Sequence, residues 1–195
     1  MTRVFKLKLK SITNDLFVKG IFEKVISHIH VIEFQKRGLP HAHILMILAP
    51  EDRPNSPEDF DNLVCAEIPD QEQYPQLYET VSKSMIHGPC GHLNPNSPCM
   101  IDGKCSKNYP RDFVEQTTTN KYGYLLYRRR NNKKTIKKGN VIIDNRWIVS
   151  YNPYLNQKYN CHINVEICSS IRSIKYLYKY VYKGHDHVIV SIRDE

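Results

Sequence analysis

The sequence predicts an α+β fold, in which an antiparallel sheet is flanked by helices and a loop is stapled by cysteine and histidine. Apolar residues recur at helical spacing over residues 3–18 and Gly20 favours a stop, so this stretch predicts an amphipathic helix. Two runs rich in apolar and β-branched residues, 21–35 and 41–48, flank the short segment 36–40 and predict an antiparallel hairpin.

Further helices are predicted from capping residues. Ser56, followed by a proline and two acids, predicts a helix start, and Pro75 predicts another helix that runs to about His87. A last helix is predicted from the N-cap Ser169-Ser170 to the terminal Gly184.

Three strands are predicted in the second half of the chain. Residues 122–127 and 141–150 predict two strands joined by a very basic hairpin connection, and residues 162–167 predict a short third strand. Residues 87–110 have no apolar period and contain Gly, Pro, Asn and Cys, which predicts a loop embedded in the fold.

Composition and charge bound the class of protein. The 195 residues allow one sizeable core, so we expect a single domain over residues 1–195. The 28 Lys and Arg against 20 Asp and Glu give a net charge of +8, which favours a polyanionic partner. No apolar run approaches the roughly 20 residues that cross a bilayer, and the N-terminus lacks a signal-peptide apolar region. We therefore expect a soluble, intracellular protein with no membrane contact.

A histidine pair follows the predicted hairpin turn. Residues two apart on a strand project from one face, so His41 and His43 point the same way, and Glu33 and Gln35 share a face of the facing strand. Two imidazole nitrogens and one oxygen with open positions suit Mg²⁺ or Mn²⁺ acting on a phosphate. The alternative is a pair of half-buried strand histidines without a metal.

A tyrosine-rich run covers residues 175–183. Strict alternation would place its tyrosines on one face of a strand, but the N-cap and terminal glycine favour a helix. In a helix Tyr176 and Tyr180 lie one turn apart on a basic face with Lys179 and Lys183, and lysines there favour phenolate and hold phosphate. The alternative is that the tyrosines are ordinary packing residues.

The six cysteines predict thiols or metal ligands rather than disulfides. A tetrahedral Cys₃His zinc site would fix the loop over residues 87–110, which has little means of burying itself. Its predicted ligands are His87, Cys90, Cys99 and Cys105. His92 competes with His87 as the fourth ligand, and buried free thiols are the alternative.

A basic tract follows residue 127 at the predicted hairpin tip. Cations that track a phosphate backbone beside aromatic faces that stack bases suit single-stranded nucleic acid. The predicted DNA-binding cations are Arg128, Arg129, Arg130, Lys133 and Lys134. The flanking aromatic residues are Tyr122, Tyr124, Tyr127 and Trp147. A solvated loop or a nuclear import signal fits the same charges.

Taken in order, these motifs resemble the N-terminal replication-initiator domain of Helitron rolling-circle transposases. The resemblance is carried by the segments Glu33–Leu45, His87–Cys90, Cys99–Met100, Cys105–Lys107, Asn145–Pro153 and Lys175–Asp186.

The resemblance implies a Rep-like endonuclease of the HUH type, in which His41 and His43 bind the metal and Tyr176 and Tyr180 are the nucleophiles. Glu33 is then the preferred third ligand, with Gln35 as the alternative. It further implies single-stranded DNA as partner, a nuclear location, no small-molecule cofactor and a helicase domain in the full-length family protein. The chain begins close upstream of the histidine motif, so we expect some sheet strands that the family places earlier to be missing. No Walker-type Gly-Lys-Ser/Thr loop is present, so we expect the helicase domain to be absent.

Overall fold

The computed structural model describes residues 2–34, 39–168 and 188–192. The described chain is mixed α and β, with small antiparallel sheets. It divides into two compact units: unit 1 comprises residues 1–55 and 168–195, and unit 2 comprises residues 56–167. The expected single domain stays a prediction. No helix in the described ranges is long and apolar enough to cross a membrane.

Unit 1 contains the predicted N-terminal helix and hairpin. Helix α1 spans Thr2–Phe17. The chain turns after the helix at Gly20, whose φ of +61° suits a residue without a side chain. Strand β1 spans Val25–Phe34 and strand β2 spans Pro40–Leu48, paired antiparallel. The hairpin prediction is confirmed.

The sheet of unit 1 has three strands in the order β2-β1-β9, with β1 in the centre. Strand β9, Val188–Ile192, pairs antiparallel with β1 and was not predicted. The predicted helix from Ser169 to Gly184 lies outside the described residues. In the β1–β2 register Glu33 faces His41 and Val31 faces His43, so these four side chains share one face of the sheet.

The opposite face of β1 carries a second histidine pair. The ring of His28 stacks on Phe17 of α1 with centroids 3.7 Å apart, and the His30 ring follows at 6.0 Å from His28. His30 is 9 % exposed, and its Nδ1 atom has no hydrogen-bond partner among the residues that the structure describes. Burial lowers the pKa of His30 below its ordinary value of 6.5, because the charged imidazolium loses its hydration.

Unit 1 is therefore expected to lose stability in mild acid. As the pH falls below 6.5 the unfolded chain takes up a proton at His30 that the folded state resists, so the free energy of unfolding falls until the lower folded pKa is passed. Urea unfolding at several pH values measures this loss. The His30→Gln variant should lose less stability on acidification, whereas an exposed-site control, His92→Gln, should behave as the parent. Equal acid sensitivity of His30→Gln and parent would contradict the assignment.

Unit 2 begins with two short helices that the capping residues predict. Helix α2, Pro57–Leu63, starts at Ser56, whose hydroxyl accepts from the Asp59 amide at 3.1 Å while the Asp59 carboxylate accepts from the Ser56 amide at 3.0 Å. This capping box satisfies two amides of the first turn. Helix α3, Pro75–Ser84, follows and ends three residues earlier than predicted.

Unit 2 contains three short pairs of antiparallel strands, and one helix that was not predicted. Their bounds are Met100–Ile101 (β3), Lys104–Cys105 (β4), Thr118–Thr119 (β5), Leu125–Leu126 (β6), Ile136–Lys138 (β7) and Val141–Ile143 (β8). They pair as β3–β4, β5–β6 and β7–β8. Helix α4 spans Pro153–Tyr159, with the Asn152 side chain accepting from the Leu155 amide.

Two strand predictions in unit 2 are wrong. Residues 122–127 do not pair with 141–150, because β6 pairs back to β5 and β8 pairs with β7 across a turn in which Gly139 has a φ of +61°. Residues 162–167 form no strand; the amide of Val165 donates to the Ser150 carbonyl and that of Ile167 to the Tyr127 hydroxyl.

The core of unit 2 lies between α3 and the segment that follows β8. Side chains of β7, of β8 and of the loops beside α3 also contribute, and the buried members are Ile68, Leu77, Val81, Met85, Cys90, Ile136, Ile143, Trp147, Ile148 and Tyr151. Backbone hydrogen bonds join the end of α3 to the segment that follows β8. The amide of Val149 donates to the Met85 carbonyl at 2.8 Å, and the amide of His87 donates to the Trp147 carbonyl at 2.9 Å. These hydrogen bonds therefore hold the first residue of the loop at residues 87–110 against the core.

Candidate metal centres and basic hairpin

The predicted histidine pair lies on one face of the sheet in unit 1, and both histidines are half-buried. The His41 and His43 rings lie 6.0 Å apart between centroids, with an interplanar angle of 27°. The Nε2 atom of His43 lies 3.2 Å from Oε2 of Glu33, and the side chains of these two residues are 18 % and 26 % exposed. The site thus brings two imidazoles and one carboxylate together on a solvent-accessible surface.

Several predicted residues of the nuclease site lie outside the described residues. These are Gln35, Tyr176, Lys179, Tyr180 and Lys183. Their predicted roles stay predictions.

The cysteine and histidine cluster of unit 2 is formed by His87, Cys90, Cys99 and Cys105. One ligand atom from each of these four residues lies within 4.8 Å of the other three, close to the roughly 3.8 Å that separates sulfur ligands around a tetrahedral zinc ion. The Sγ atom of Cys105 lies 3.5 Å from Nε2 of His87. The cluster is compatible with zinc binding.

Local backbone structure determines where two of these ligands, His87 and Cys105, lie. Ile86 forms a bridge with Ile148 of the core, which fixes the start of the loop at His87. The β3–β4 hairpin turns at Asp102 and Gly103, with φ of +48° and +75°, and this turn sets Cys105 opposite Met100. Two positive φ values in a two-residue turn are those of a type I′ hairpin, for which Asp-Gly is a favoured pair.

The surroundings of the cluster shift the pKa values of its ligands in different directions. Burial lowers the pKa of His87, and Arg111 and Lys107 lower it further, so its imidazole is neutral and can donate a lone pair to a metal. Burial, together with the neighbouring Cys105 and Cys99 thiols, raises the pKa of Cys90 to about 12. Burial alone would raise the pKa of Cys105, but backbone amides of Tyr109 and Lys107 outweigh it and lower that pKa.

The structure distinguishes the two candidate histidine ligands and adds a residue that sequence reasoning missed. His87 belongs to the cluster, whereas His92 is exposed and does not belong to it. The Tyr109 ring stacks on His87 with centroids 4.1 Å apart and 10° between planes, and its carbonyl accepts from the Cys90 thiol at 3.7 Å. Tyr109 therefore orients two ligands. No spacing rule marks it in the sequence.

The three arginines of the basic tract are positioned differently from the prediction. Arg129 is 5 % exposed, and its Nη1 atom lies 3.1, 2.8 and 2.6 Å from the carbonyl oxygens of Ala66, Asn145 and Ile148. The guanidinium is bonded to three buried carbonyls, so this structure does not place Arg129 on the surface as the prediction of a DNA contact expects. Burial lowers the pKa of Arg129, yet a guanidinium stays protonated.

The remaining cations of the tract divide into paired and exposed groups. Arg128 bonds Asp61 at 2.9 Å, and Arg130 bonds Glu67 at 2.6 Å. Lys134 lies 3.0 Å from Asp70, whereas Lys133 is exposed. A run of like charge is therefore largely neutralised by acids from residues 61–70. DNA binding by these four residues stays a prediction.

The described residues form a mixed α+β protein with one cysteine and histidine cluster that is compatible with zinc binding. Residues 1–46 match the family described as "Helitron helicase-like domain at N-terminus". This match supports the resemblance of the sequence to the Helitron N-terminal domain over residues 1–46. The matched segment contains Glu33, His41 and His43 and ends before the cysteine cluster. No curated protein matches the chain.

Proposed function

We propose that the chain is a metal-dependent tyrosine endonuclease and strand transferase that nicks single-stranded DNA through a 5′-phosphotyrosine during rolling-circle transposition. The observation that carries the proposal is the group formed by Glu33, His41 and His43, three potential ligands on one face of the sheet. This group lies within the segment that matches the Helitron family.

The donor set fits a divalent cation. His41 and His43 offer two nitrogens on one face of the sheet, and the Oε2 atom of Glu33 lies 3.2 Å from the Nε2 atom of His43. Mg²⁺ or Mn²⁺ in that position would polarise a phosphate and neutralise charge that develops on its oxygens. The partial exposure of His43 and Glu33 leaves room for a nucleic-acid phosphate beside them.

The nucleophiles of the proposal are Tyr176 and Tyr180. A phenol oxygen attacks phosphorus in line, the new O–P bond replaces the bond to the 3′ oxygen, and the departing strand takes a proton to leave a free 3′ hydroxyl. Lys179 and Lys183 favour the phenolate and hold phosphate oxygens. Because the phosphotyrosine conserves the energy of the broken bond, a hydroxyl of another strand can reverse the step. Two tyrosines would allow one cut at each transposon end.

Zinc is the cation proposed for the second cluster, with a structural role. Four ligands from His87, Cys90, Cys99 and Cys105 form a closed set, which leaves no open position for a substrate. The proposal further includes a nuclear location and a helicase domain acting with this chain, and a Rep-like sheet for unit 1.

A second function is favoured by the same zinc cluster. The chain could act as a non-catalytic module that binds single-stranded DNA and is stapled by zinc, because the cluster and the basic residues of unit 2 require no chemistry at His41 and His43. This alternative predicts salt-sensitive DNA binding without any cleavage.

Metal binding at the histidine pair tests the first function. Zinc-loaded protein is titrated with Mn²⁺ by isothermal calorimetry, and nicking of single-stranded DNA is followed in parallel. The His41→Ala, His43→Ala double variant should lose Mn²⁺ affinity by more than the roughly 100-fold that loss of an outer-shell partner costs, and should lose nicking. Glu33→Gln should weaken the same site, because it removes the charge and keeps the shape.

The control for this titration is His92→Ala, which removes an exposed histidine of unit 2. It should bind Mn²⁺ and nick as the parent does. Unchanged Mn²⁺ affinity in the double variant would rule out the histidine pair as the metal site. Retained DNA binding without nicking in the parent would favour the second function.

A further inference from the structure

A hairpin arm extends from the core of unit 2 over residues 114–129. Val114 and Arg129 exchange two backbone hydrogen bonds of 3.0 and 2.8 Å at its base, and β5 pairs with β6 further out. The tip consists of residues 120–124. We call this element the arm.

The base of the arm is anchored by charged and polar side chains. The Thr117 hydroxyl donates to the Asp61 carboxylate and accepts from the amide of Arg128 at 2.9 Å, while the Arg128 guanidinium bonds the same carboxylate at 2.9 Å. The next residue, Arg129, is bonded to three buried carbonyls of the core. The arginines of the basic tract thus hold the arm in place.

The tip is fixed by a single side chain. The Oδ1 atom of Asn120 accepts from the amides of Tyr122 and Tyr124, at 2.9 and 3.0 Å, and its backbone amide donates to the Tyr124 carbonyl at 2.9 Å. Gly123 closes the turn with a φ of +81°. An asparagine that bonds backbone amides further along the chain stabilises a turn without help from packing.

This rigid tip presents two aromatic rings to solvent. Tyr122 is 53 % and Tyr124 is 43 % exposed, while the other two aromatic residues that the sequence placed here, Tyr127 and Trp147, are buried. The ammonium of Lys121 lies 5.0 Å from the centre of the Tyr122 ring. An exposed aromatic pair beside a cation is the arrangement that stacks bases and holds phosphate.

The positive charge around the arm favours a negatively charged partner. Residues 116–143 contain eight Lys and Arg and no Asp or Glu. Arg128, Arg130 and Lys134 form ion pairs with acidic residues between positions 61 and 70. Four further lysines are exposed: Lys121, Lys133, Lys137 and Lys138. Rings flanked by positive charge suit a nucleic acid with unpaired bases.

We propose that the tip of the arm is a base-stacking element for single-stranded nucleic acid, in which Tyr122 and Tyr124 stack on bases and Lys121 contacts phosphate. The proposal rests on the proposed function for its ligand class, and it needs neither metal nor tyrosine chemistry. Because the base and tip are both held, little conformational entropy is lost when a base stacks on the rings.

The test measures binding of fluorescently labelled oligodeoxythymidine by anisotropy, using the full zinc-loaded chain without Mg²⁺ or Mn²⁺. Tyr122→Ala and Tyr124→Ala should each weaken binding roughly tenfold, because each removes one stacking face. Tyr122→Phe should bind as the parent, since the ring is kept. The slope of log affinity against log salt should stay unchanged in both alanine variants and fall by about one in Lys121→Ala.

The matched control is Tyr154→Ala. Tyr154 is 48 % exposed and contacts Lys158, as Tyr122 contacts Lys121, but it lies on helix α4. This variant should bind as the parent. A Tyr122→Ala, Tyr124→Ala double variant that binds as tightly as Tyr154→Ala, or a parent that does not bind the oligonucleotide, would overturn the proposal. An equal loss of affinity for duplex DNA would also overturn it, because paired bases offer no free faces.

The binding assay separates this proposal from the nuclease. Without Mg²⁺ or Mn²⁺ it reports stacking alone, so absence of nicking would leave its result unchanged. Normal nicking by the Tyr122→Ala, Tyr124→Ala double variant at saturating DNA, with weakened binding, would support both proposals together.

Discussion

Removal of zinc is expected to abolish the folded structure of residues 87–110 and to weaken the rest of unit 2. The loop has no apolar period of its own, and its ordered form depends on four ligand atoms that meet within 4.8 Å. Structural zinc contributes about 10–16 kcal/mol of apparent binding free energy in small zinc domains at neutral pH, which is as large as the whole stability of a typical domain. Cys90 also belongs to the core of unit 2, so loosening it exposes neighbouring apolar residues.

Thermal unfolding followed by circular dichroism, before and after chelation, measures this effect. Cys105→Ala should resemble the chelated parent, because three remaining ligands cannot close the site. Cys161→Ala, which changes a half-buried cysteine of unit 2 outside the cluster, should keep the zinc-dependent transition. Zinc binding should also release protons, because burial holds the pKa of Cys90 at about 12 and its thiol must ionise to bind. A melting temperature that does not respond to the chelator would contradict a structural zinc site.

Features of the fold that depend on near neighbours were predictable from the sequence. The capping box at Ser56 involves residues three positions apart, and the shared face of His41 and His43 follows from the two-residue period of a strand. The choice of ligands in the cysteine cluster was predictable as a set, but the decision between His87 and His92 needed the anchoring of Ile86 on Ile148.

Features that depend on distant residues were not predictable. Arg129 belongs to a basic run that is typical of a surface, yet it is buried because carbonyl groups of Ala66, Asn145 and Ile148 converge on it. No local pattern records that convergence, since Ala66 lies 63 residues away along the chain. The wrong strand pairing had a local signal that was overlooked: the turn pair Gly139-Asn140 directly before the β-branched run Val141–Ile143 predicts a tight hairpin, which β7 and β8 form.

Loss of both candidate nucleophiles is expected to abolish the covalent protein–DNA adduct. The proposed step joins a tyrosine oxygen to phosphorus, so a ring without a hydroxyl cannot form that bond. The change is Tyr176→Phe with Tyr180→Phe, which keeps ring volume. The matched control is Tyr178→Phe with Tyr182→Phe, because these tyrosines fall off the basic face in the helical interpretation and are expected to be structural. The control should form adduct as the parent does.

The proposed nuclease needs a cation at His41 and His43 that serves a tyrosine nucleophile, and mapping the residue that carries the adduct tests this requirement. Zinc-loaded full chain is incubated with Mn²⁺ and a randomised pool of single-stranded oligonucleotides, and the covalent product is digested and mapped by mass spectrometry. We expect a 5′-phosphotyrosine at Tyr176 or Tyr180, which disappears without Mn²⁺ and in the His41→Ala, His43→Ala variant. An adduct on any other residue, or one that persists in that variant, would contradict it.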